Sequence, residues 1–262
     1  MTGRPTEIQS REKDVDAAFY AAQKEKNRSR NLTFAARGVI FRDIDSVYIE
    51  EDVSIGADTY IEQSVSICGS TVIGARCTIG QGTAIESSEI GDGCDILQNS
   101  RIIGSVVGTG TTVLLSVIID SKVGEHTNVG PYAYVRPGSC IGNGVKVGDF
   151  VEIKNSSIGN GTKVSHLTYV GDADLGADIN LGCGVVFVNY DGREKHRSKV
   201  HDGAFIGCNV NIISPVEIGE EAYVAAGTTV TGDVPAGSLS VGREKQKILE
   251  GWVKRKGIKK ER

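Results

Sequence analysis

The sequence predicts an all-β chain: a parallel β-helix of hexapeptide repeats, with a short N-terminal helix and a C-terminal helical cap. Three observations predict it. Aliphatic side chains recur every six residues, as in Ile49, Ile55, Ile61, Ile67, Ile73, Ile79 and Ile85, then Val123, Val129, Val135, Ile141, Val147 and Ile153, then Ile206, Ile212, Ile218, Val224 and Val230. That period fits neither an amphipathic helix nor a meander with a turn every eight to twelve residues, but it is the mark of a hexapeptide solenoid. Glycine, 34 of 262 residues, stands at about twice ordinary usage with no collagen-like triplet. Aromatic residues are only 6% of the chain, so the core must be aliphatic.

Taken in order, residues 1–37 form an N-terminal helical and linker segment. Val15, Phe19 and Ala22 sit at helical spacing within 11–34, which predicts a surface helix from 12 to 28. Residues 38–240 form the β-helix. Each short strand turns one aliphatic inward, and equivalent residues stack coil on coil at strand spacing, about 4.8 Å. Three hexapeptides per coil give roughly ten coils over 49–234, about 50 Å long. The frequent glycine after the aliphatic, as at Gly74, Gly142 and Gly148, is expected to supply corner backbone angles. Residues 241–262 are the cap and a basic tail: Ile248, Leu249 and Trp252 are expected to cover the open end of the stack, with the last ten residues disordered.

Composition excludes several function classes. The net charge of −4 argues against a nucleic-acid binder. No stretch approaches the roughly 20 apolar residues of a membrane span, and the N-terminus lacks the apolar core of a secretory signal. Six single cysteines without a C-x-x-C pair read as reduced, mostly buried small residues of a cytoplasmic protein.

Off-beat positions carry the chemistry. Arg136 and Lys154 are eighteen residues apart, one full coil, which stacks two cations on one wall. Like charges so placed repel unless an anion lies between them, so the spacing points to a phosphate site. An imidazole is the side chain suited to proton transfer at physiological pH, so His166 is the candidate base. Glu152 lies fourteen residues upstream, close to one coil away, where a carboxylate could fix the imidazole tautomer. His196 and His201 have the H-x-x-x-x-H spacing of a metal pair. Two imidazoles need a further ligand, and neither His126 nor His166 lies in a matching local sequence, so no metal site is expected.

The runs F-V-E-I-K-N, H-L-T-Y-V-G-D and N-Y-D-G, in that order and spacing, followed by G-R-E-K-Q and E-G-W-V, are the strongest motifs. From about Gly38 to Trp252 the chain resembles the acetyltransferase half of the bacterial N-acetylglucosamine-1-phosphate uridylyltransferase / glucosamine-1-phosphate N-acetyltransferase family. The resemblance implies a left-handed coil and a homotrimer with active sites between subunits. It implies acetyl transfer from acetyl-CoA to the amine of glucosamine-1-phosphate, with no metal needed, in the making of UDP-N-acetylglucosamine for cell-envelope precursors. The glycine-rich nucleotide loop of the family's other half is absent, so no uridylyl transfer is expected.

Residue by residue, the resemblance makes His166 the base, Glu152 its orienting partner, and Asn189 a holder of the reacting amine. Arg136, Lys154, Tyr169, Asn180 and Lys195 become the sugar-phosphate ligands. Cys183, Tyr190, Cys208, Ala226 and Arg243 would line the acetyl-CoA path, with the backbone N–H at Cys208 facing the oxyanion. Cys208 and Cys183 stand where the family has serine and alanine, departures on the cofactor side. The six-residue beat pauses over 183–203, yet Leu181 and Ile206 are twenty-five residues apart, four beats plus one. The excursion is therefore expected to rejoin the wall nearly in phase, carrying Asn189, Tyr190 and Lys195 into the site.

Overall fold

The computed structural model describes residues 17–258. Thirty-three short strands, β1 (Ile40–Phe41) to β33 (Leu239–Ser240), form three parallel sheets of 12, 11 and 10 strands, here called A, B and C. Within the stack each strand pairs with the third one before and after it, only β33 joining β31 out of that step, so the chain winds round a three-walled parallel solenoid. The six-residue beat sets the register: Val129 pairs with Val147, Val147 with Val164, and Val164 with Leu181. These aliphatics point inward and form one continuous core along the axis. Its largest fully buried side chain is Phe187, in the segment where the sequence departs from a polar run.

Buried hydroxyls at the corners satisfy the backbone there. Thr127 Oγ1 donates to the Gly142 carbonyl at 2.8 Å and accepts the Val145 N–H at 3.1 Å. Cys77 and Cys94 occupy equivalent positions and donate Sγ–H to Gly91 and Gly108 carbonyls. They are the only two buried cysteines; Cys140 and Cys208 are exposed and Cys68 and Cys183 half-buried. The expectation of mostly buried thiols thus holds for the hydroxyl column alone.

The glycine after most inward aliphatics answers a different need from the expected one, Gly130 at φ 108° being an exception. At Gly148 φ is not positive, but an added Cβ would lie 1.9 Å from the Ser165 carbonyl oxygen of the next coil. Space between coils, not backbone angle, selects glycine there. The positive φ falls two residues later, on Phe150 (55°) and Leu167 (48°).

The N-terminal helix, α1, runs Ala17–Ala35, past the expected end at 28. Residues 12–16 of the expected span, Val15 among them, lie outside the described residues. Polar residues at and beyond the expected end do the docking. Asn27 Nδ2 donates to the Val47 carbonyl at 2.7 Å, and Asn31 Nδ2 donates to the Ile44 and Val47 carbonyls at 2.9 Å. Arg30 donates to the Ile49 carbonyl, and Phe34 enters the core. The helix thereby satisfies an edge of the first coil that would otherwise be open.

The C-terminal expectation is corrected. The only helix there, α2 (Trp252–Arg255), is one turn long, and Ile248, Leu249 and Trp252 are 72%, 55% and 42% exposed. They do not cover the last coil. The polar run Arg243–Gln246 has no aliphatic on the beat to seat it. Residues 253–258, expected to be disordered, follow in that helix and a turn, and 259–262 lie outside the described residues. No helix among the described residues is long and apolar enough to cross a membrane.

Candidate active site

Two side-chain groups flank sheet B, one toward its corner with sheet C and one at its corner with sheet A. The first lies on sheet B, where Tyr134, Glu152, Tyr169 and Val186 stack in register. Arg136 and Lys154 each follow an inward aliphatic, Val135 and Ile153, that pair with each other. The one-coil stacking read from the spacing is present. Arg136 Nη1 donates to Glu152 Oε1 at 2.7 Å, and this contact holds its guanidinium above its ordinary pKa. Its guanidinium carbon lies 5.9 Å from the Tyr134 ring centre.

Lys154 Nζ donates to Asp172 Oδ2 at 2.8 Å. Lys195, brought in by the excursion, lies against Lys154, whose charge holds the Lys195 ammonium below its ordinary pKa. Three cations, Arg136, Lys154 and Lys195, therefore converge beside Tyr169 with two carboxylates. A group with three cations to two carboxylates, in which Lys195 has no carboxylate of its own among the described residues, suits a dianion such as a phosphate monoester.

The second group is a column two residues after the inward aliphatics of sheet A. Asp149 ends β19 (Lys146–Asp149), His166 ends β22 (Lys163–His166), and the two pair in register. His166 Nδ1 meets Asp149 Oδ1 at 2.5 Å, and the contact lowers the Asp149 pKa. A carboxylate accepts only, so Nδ1 carries the proton and Nε2 is left as the base of neutral imidazole. The His166 side chain is half exposed and open to a substrate.

The same offset places Cys183, Cys208 and Ala226 on the coils beyond. The Gly184 N–H donates to the His166 carbonyl at 3.2 Å, Asn209 N–H to Cys183, and Gly227 N–H to Cys208, both at 2.8 Å. Arg243 Nη1 reaches the Ala226 carbonyl at 3.1 Å. One corner thus carries the imidazole and, in line above it, four of the five residues expected on the cofactor path, all but Tyr190.

Three expectations shift. The carboxylate against His166 is Asp149, not Glu152. Glu152 precedes its inward aliphatic, lies on sheet B and pairs with Arg136. The missed signal was offset: Asp149 and His166 each stand two residues after Val147 and Val164. Asn180 lies in the sheet A row between Lys163 and Phe205, away from the cation group of the same chain. Tyr190 is exposed and donates its hydroxyl to the Gly192 carbonyl within the excursion. Asp172 and Asn155, which the sequence reading did not single out, join the cation group.

The excursion is shorter than the pause in the beat. Val186–Val188 and Ser198–Val200 are regular strands, β26 and β27, so only residues 189–197 leave the wall. Leu175 pairs with Val200, which puts the return in phase. His196 Nε2 meets Asp191 Oδ2 inside this arm at 2.7 Å, whereas His201 pairs with Glu217 on the other side.

A three-walled solenoid of six-residue repeats with this corner defines a hexapeptide-repeat transferase. The family described as "Bacterial transferase hexapeptide (six repeats)" matches residues 120–155 and 197–232. The bifunctional protein GlmU of Clostridioides difficile (strain 630) is 49% identical over 91% of this chain and 48% of its own length. That of Alkaliphilus oremlandii (strain OhILAs) is 52% identical over 86% of this chain and 46% of its own. The chain belongs to the GlmU family, and it spans about half the length of these relatives, matching their C-terminal half. Among solved structures, LpxA from Acinetobacter baumannii matches 78% of this chain and 71% of its own at 18% identity and TM-score 0.36.

Proposed function

We propose that the chain transfers the acetyl group of acetyl-CoA to the amine of glucosamine-1-phosphate. The observation that carries this reading is a carboxylate-oriented imidazole at one edge of sheet B and a three-cation group on the same sheet toward its other edge. Arg136, Lys154 and Lys195 hold the phosphate and fix the sugar. His166 Nε2 takes a proton from the amine, which attacks the thioester carbonyl; the carbon–sulfur bond breaks and coenzyme A leaves as thiol. The Cys208 N–H faces the oxyanion. Acetyl-CoA, as donor, supplies the activated acyl group along the Cys183–Cys208–Ala226–Arg243 column. Its thioester makes an enzyme-bound intermediate unnecessary.

The reading includes a homotrimer with sites between subunits. Tyr132, Phe150 and Leu167 form an exposed apolar row along the corner that carries His166, with the Tyr132 and Phe150 rings stacked at 5.4 Å between centroids. Bulky side chains held out at positive φ, 59° at Tyr132, fit a contact with another copy. The expected mass in solution is three times 27.8 kDa; a monomer with full activity would overturn the shared site. The cytoplasmic setting is supported by six cysteines that are all free thiols.

Release of free thiol from acetyl-CoA in the presence of glucosamine-1-phosphate tests the activity. Arg136→Ala and Lys154→Ala should each raise the KM for the sugar phosphate by roughly tenfold or more, the worth of a charge-assisted hydrogen bond, with a smaller effect on kcat. Thiol release with another amino sugar alone would move the substrate, and release with none would remove the enzymatic reading. Unchanged KM values in both variants would remove the phosphate site.

A further inference from the structure

We propose that Asp172 is a positioning residue that fastens the arm 189–197 to the solenoid at both ends and fixes how Asn189 and Lys154 are presented. The catalytic half of this inference rests on the acetyl-transfer reading above; the structural half does not.

Asp172 stands at the corner between β23 (Tyr169–Gly171) and β24 (Ala173–Leu175), at φ 49°, and its side chain is only 9% exposed. Positive φ is uncommon for a residue with a side chain, though Asp tolerates it better than most. A carboxylate this enclosed must be satisfied by donors. Three supply it. Lys154 Nζ donates to Oδ2 at 2.8 Å, Asn155 Nδ2 to Oδ1 at 2.6 Å, and Asn189 Nδ2 to Oδ2. Burial pushes this carboxyl up, and the three donors together outweigh it and hold it below the ordinary range.

Asn189 is the first residue of the arm. Ser198, where the wall resumes, donates its N–H to the Asp172 carbonyl at 3.3 Å. Both feet of the arm thus rest on one residue. Between them the arm is closed on itself: His196 N–H donates to the Asn189 carbonyl at 2.8 Å, and Asp191 Oδ1 accepts the Arg193 and Glu194 N–H groups. Arg197 adds a further fastening through Asp174 and the Asn155 carbonyl.

The contact also decides which way the Asn189 amide faces. A carboxylate only accepts, so Asn189 must offer it Nδ2 and keep Oδ1 as an acceptor. An acceptor suits the N–H of a substrate amine. Lys154 receives a counter-charge from the same carboxylate, which offsets its repulsion from Lys195.

Asp172→Asn tests the inference. Its neutral amide can meet Asn189 in either orientation, so kcat should fall roughly 100-fold from a misplaced amine contact. The KM for the sugar phosphate should stay level or drop, because removing an anion leaves Lys154 freer for phosphate. Lys195 is held down by Lys154 first and by Arg136, and Asp172 raises it, so the alkaline limb of kcat/KM should move to lower pH. Hydrogen exchange of arm amides, His196 and Ser198 above all, should be faster in Asp172→Asn than in the unaltered protein. Asn189→Ala cuts the same tether from the arm side and carries the exchange test should Asp172→Asn not fold. Unchanged exchange in both variants would overturn the fastening. Faster exchange with unaltered kcat and alkaline limb would overturn the catalytic half. An unaltered protein that acetylates no amino sugar would overturn the acetyl-transfer reading and leave the fastening to the exchange result.

Discussion

His166→Ala should lower kcat by about 10²- to 10⁴-fold, the span of a positioned general base, while the KM for the sugar phosphate changes little. On the proposed reading other side chains, on sheet B, hold the phosphate, so the loss would belong to proton transfer. Asp149→Asn should lower kcat too, by less, because the imidazole remains but its tautomer is no longer fixed. Asparagine can offer Nδ1 either a donor or an acceptor, so part of the population carries its proton on Nε2 and cannot act as base. Glu152→Gln should act on the other parameter. It removes the partner of Arg136, and the effect should appear in the KM for the sugar phosphate. Steady-state thiol release on the three variants separates the roles. A Glu152→Gln enzyme with the largest kcat loss, beside an unaffected Asp149→Asn, would return the orienting role to Glu152.

The pH dependence of the pair has a definite sign. The contact with His166 depresses the Asp149 pKa below its ordinary value near 4, so its contribution is fully present above that value. It is lost only as the pH falls through the depressed value. Mild acidification should therefore leave the Asp149–His166 contact in place. Loss of that contact with the midpoint of an ordinary carboxylate, followed by NMR of the Asp149 carboxyl carbon, would contradict the depressed value.

The solenoid was legible because its core repeats: one aliphatic per six residues fixes strand, wall and register together. The Arg136–Lys154 stacking came from the same arithmetic, since their separation is one whole coil. What failed was phase at finer scale. Glu152 is nearly one coil from His166 in chain distance, but it precedes its inward aliphatic whereas His166 follows one by two, so the two fall on different walls. Asp172 was hidden for another reason. Its partners Lys154 and Asn155 stand one coil before it and Asn189 about one coil after, so the period was there, but a corner carboxylate among many carries no signal until its donors are seen. The helix end was set short because the spacing of Val15, Phe19 and Ala22 says nothing about Asn31 and Phe34, whose worth lies in the open carbonyls and the core they meet. The cap was over-read: apolar residues at Ile248, Leu249 and Trp252 predict a buried face, but not which surface buries it.

Gly148→Ala should both destabilise the fold and abolish acetyl transfer, and the cause is spacing. The added Cβ would lie 1.9 Å from the Ser165 carbonyl oxygen, a backbone atom that cannot rotate away. Contact at ordinary distance requires the two coils to part by more than about 1 Å, and overpacking of this kind costs about 3 kcal/mol. In a chain of this size that is a fall in Tm of roughly 10 °C. Each coil touches only its neighbours, so the strain stays at one interface. That interface is the one that holds Asp149 against His166, one residue further along each strand. Gly56→Ala provides the comparison: its Cβ would lie 2.5 Å from the Ala75 nitrogen, in an early coil distant from the site. It should lower Tm and leave kcat of the folded protein intact. At Gly232, φ is not positive and an added Cβ meets nothing within 4 Å, so alanine there should change neither. Equal kcat in Gly148→Ala and Gly56→Ala would mean that coil spacing does not govern the imidazole. A Gly148→Ala protein that melts with the unaltered one would mean that the coils slide apart freely, and register alone could not then hold Asp149 to His166.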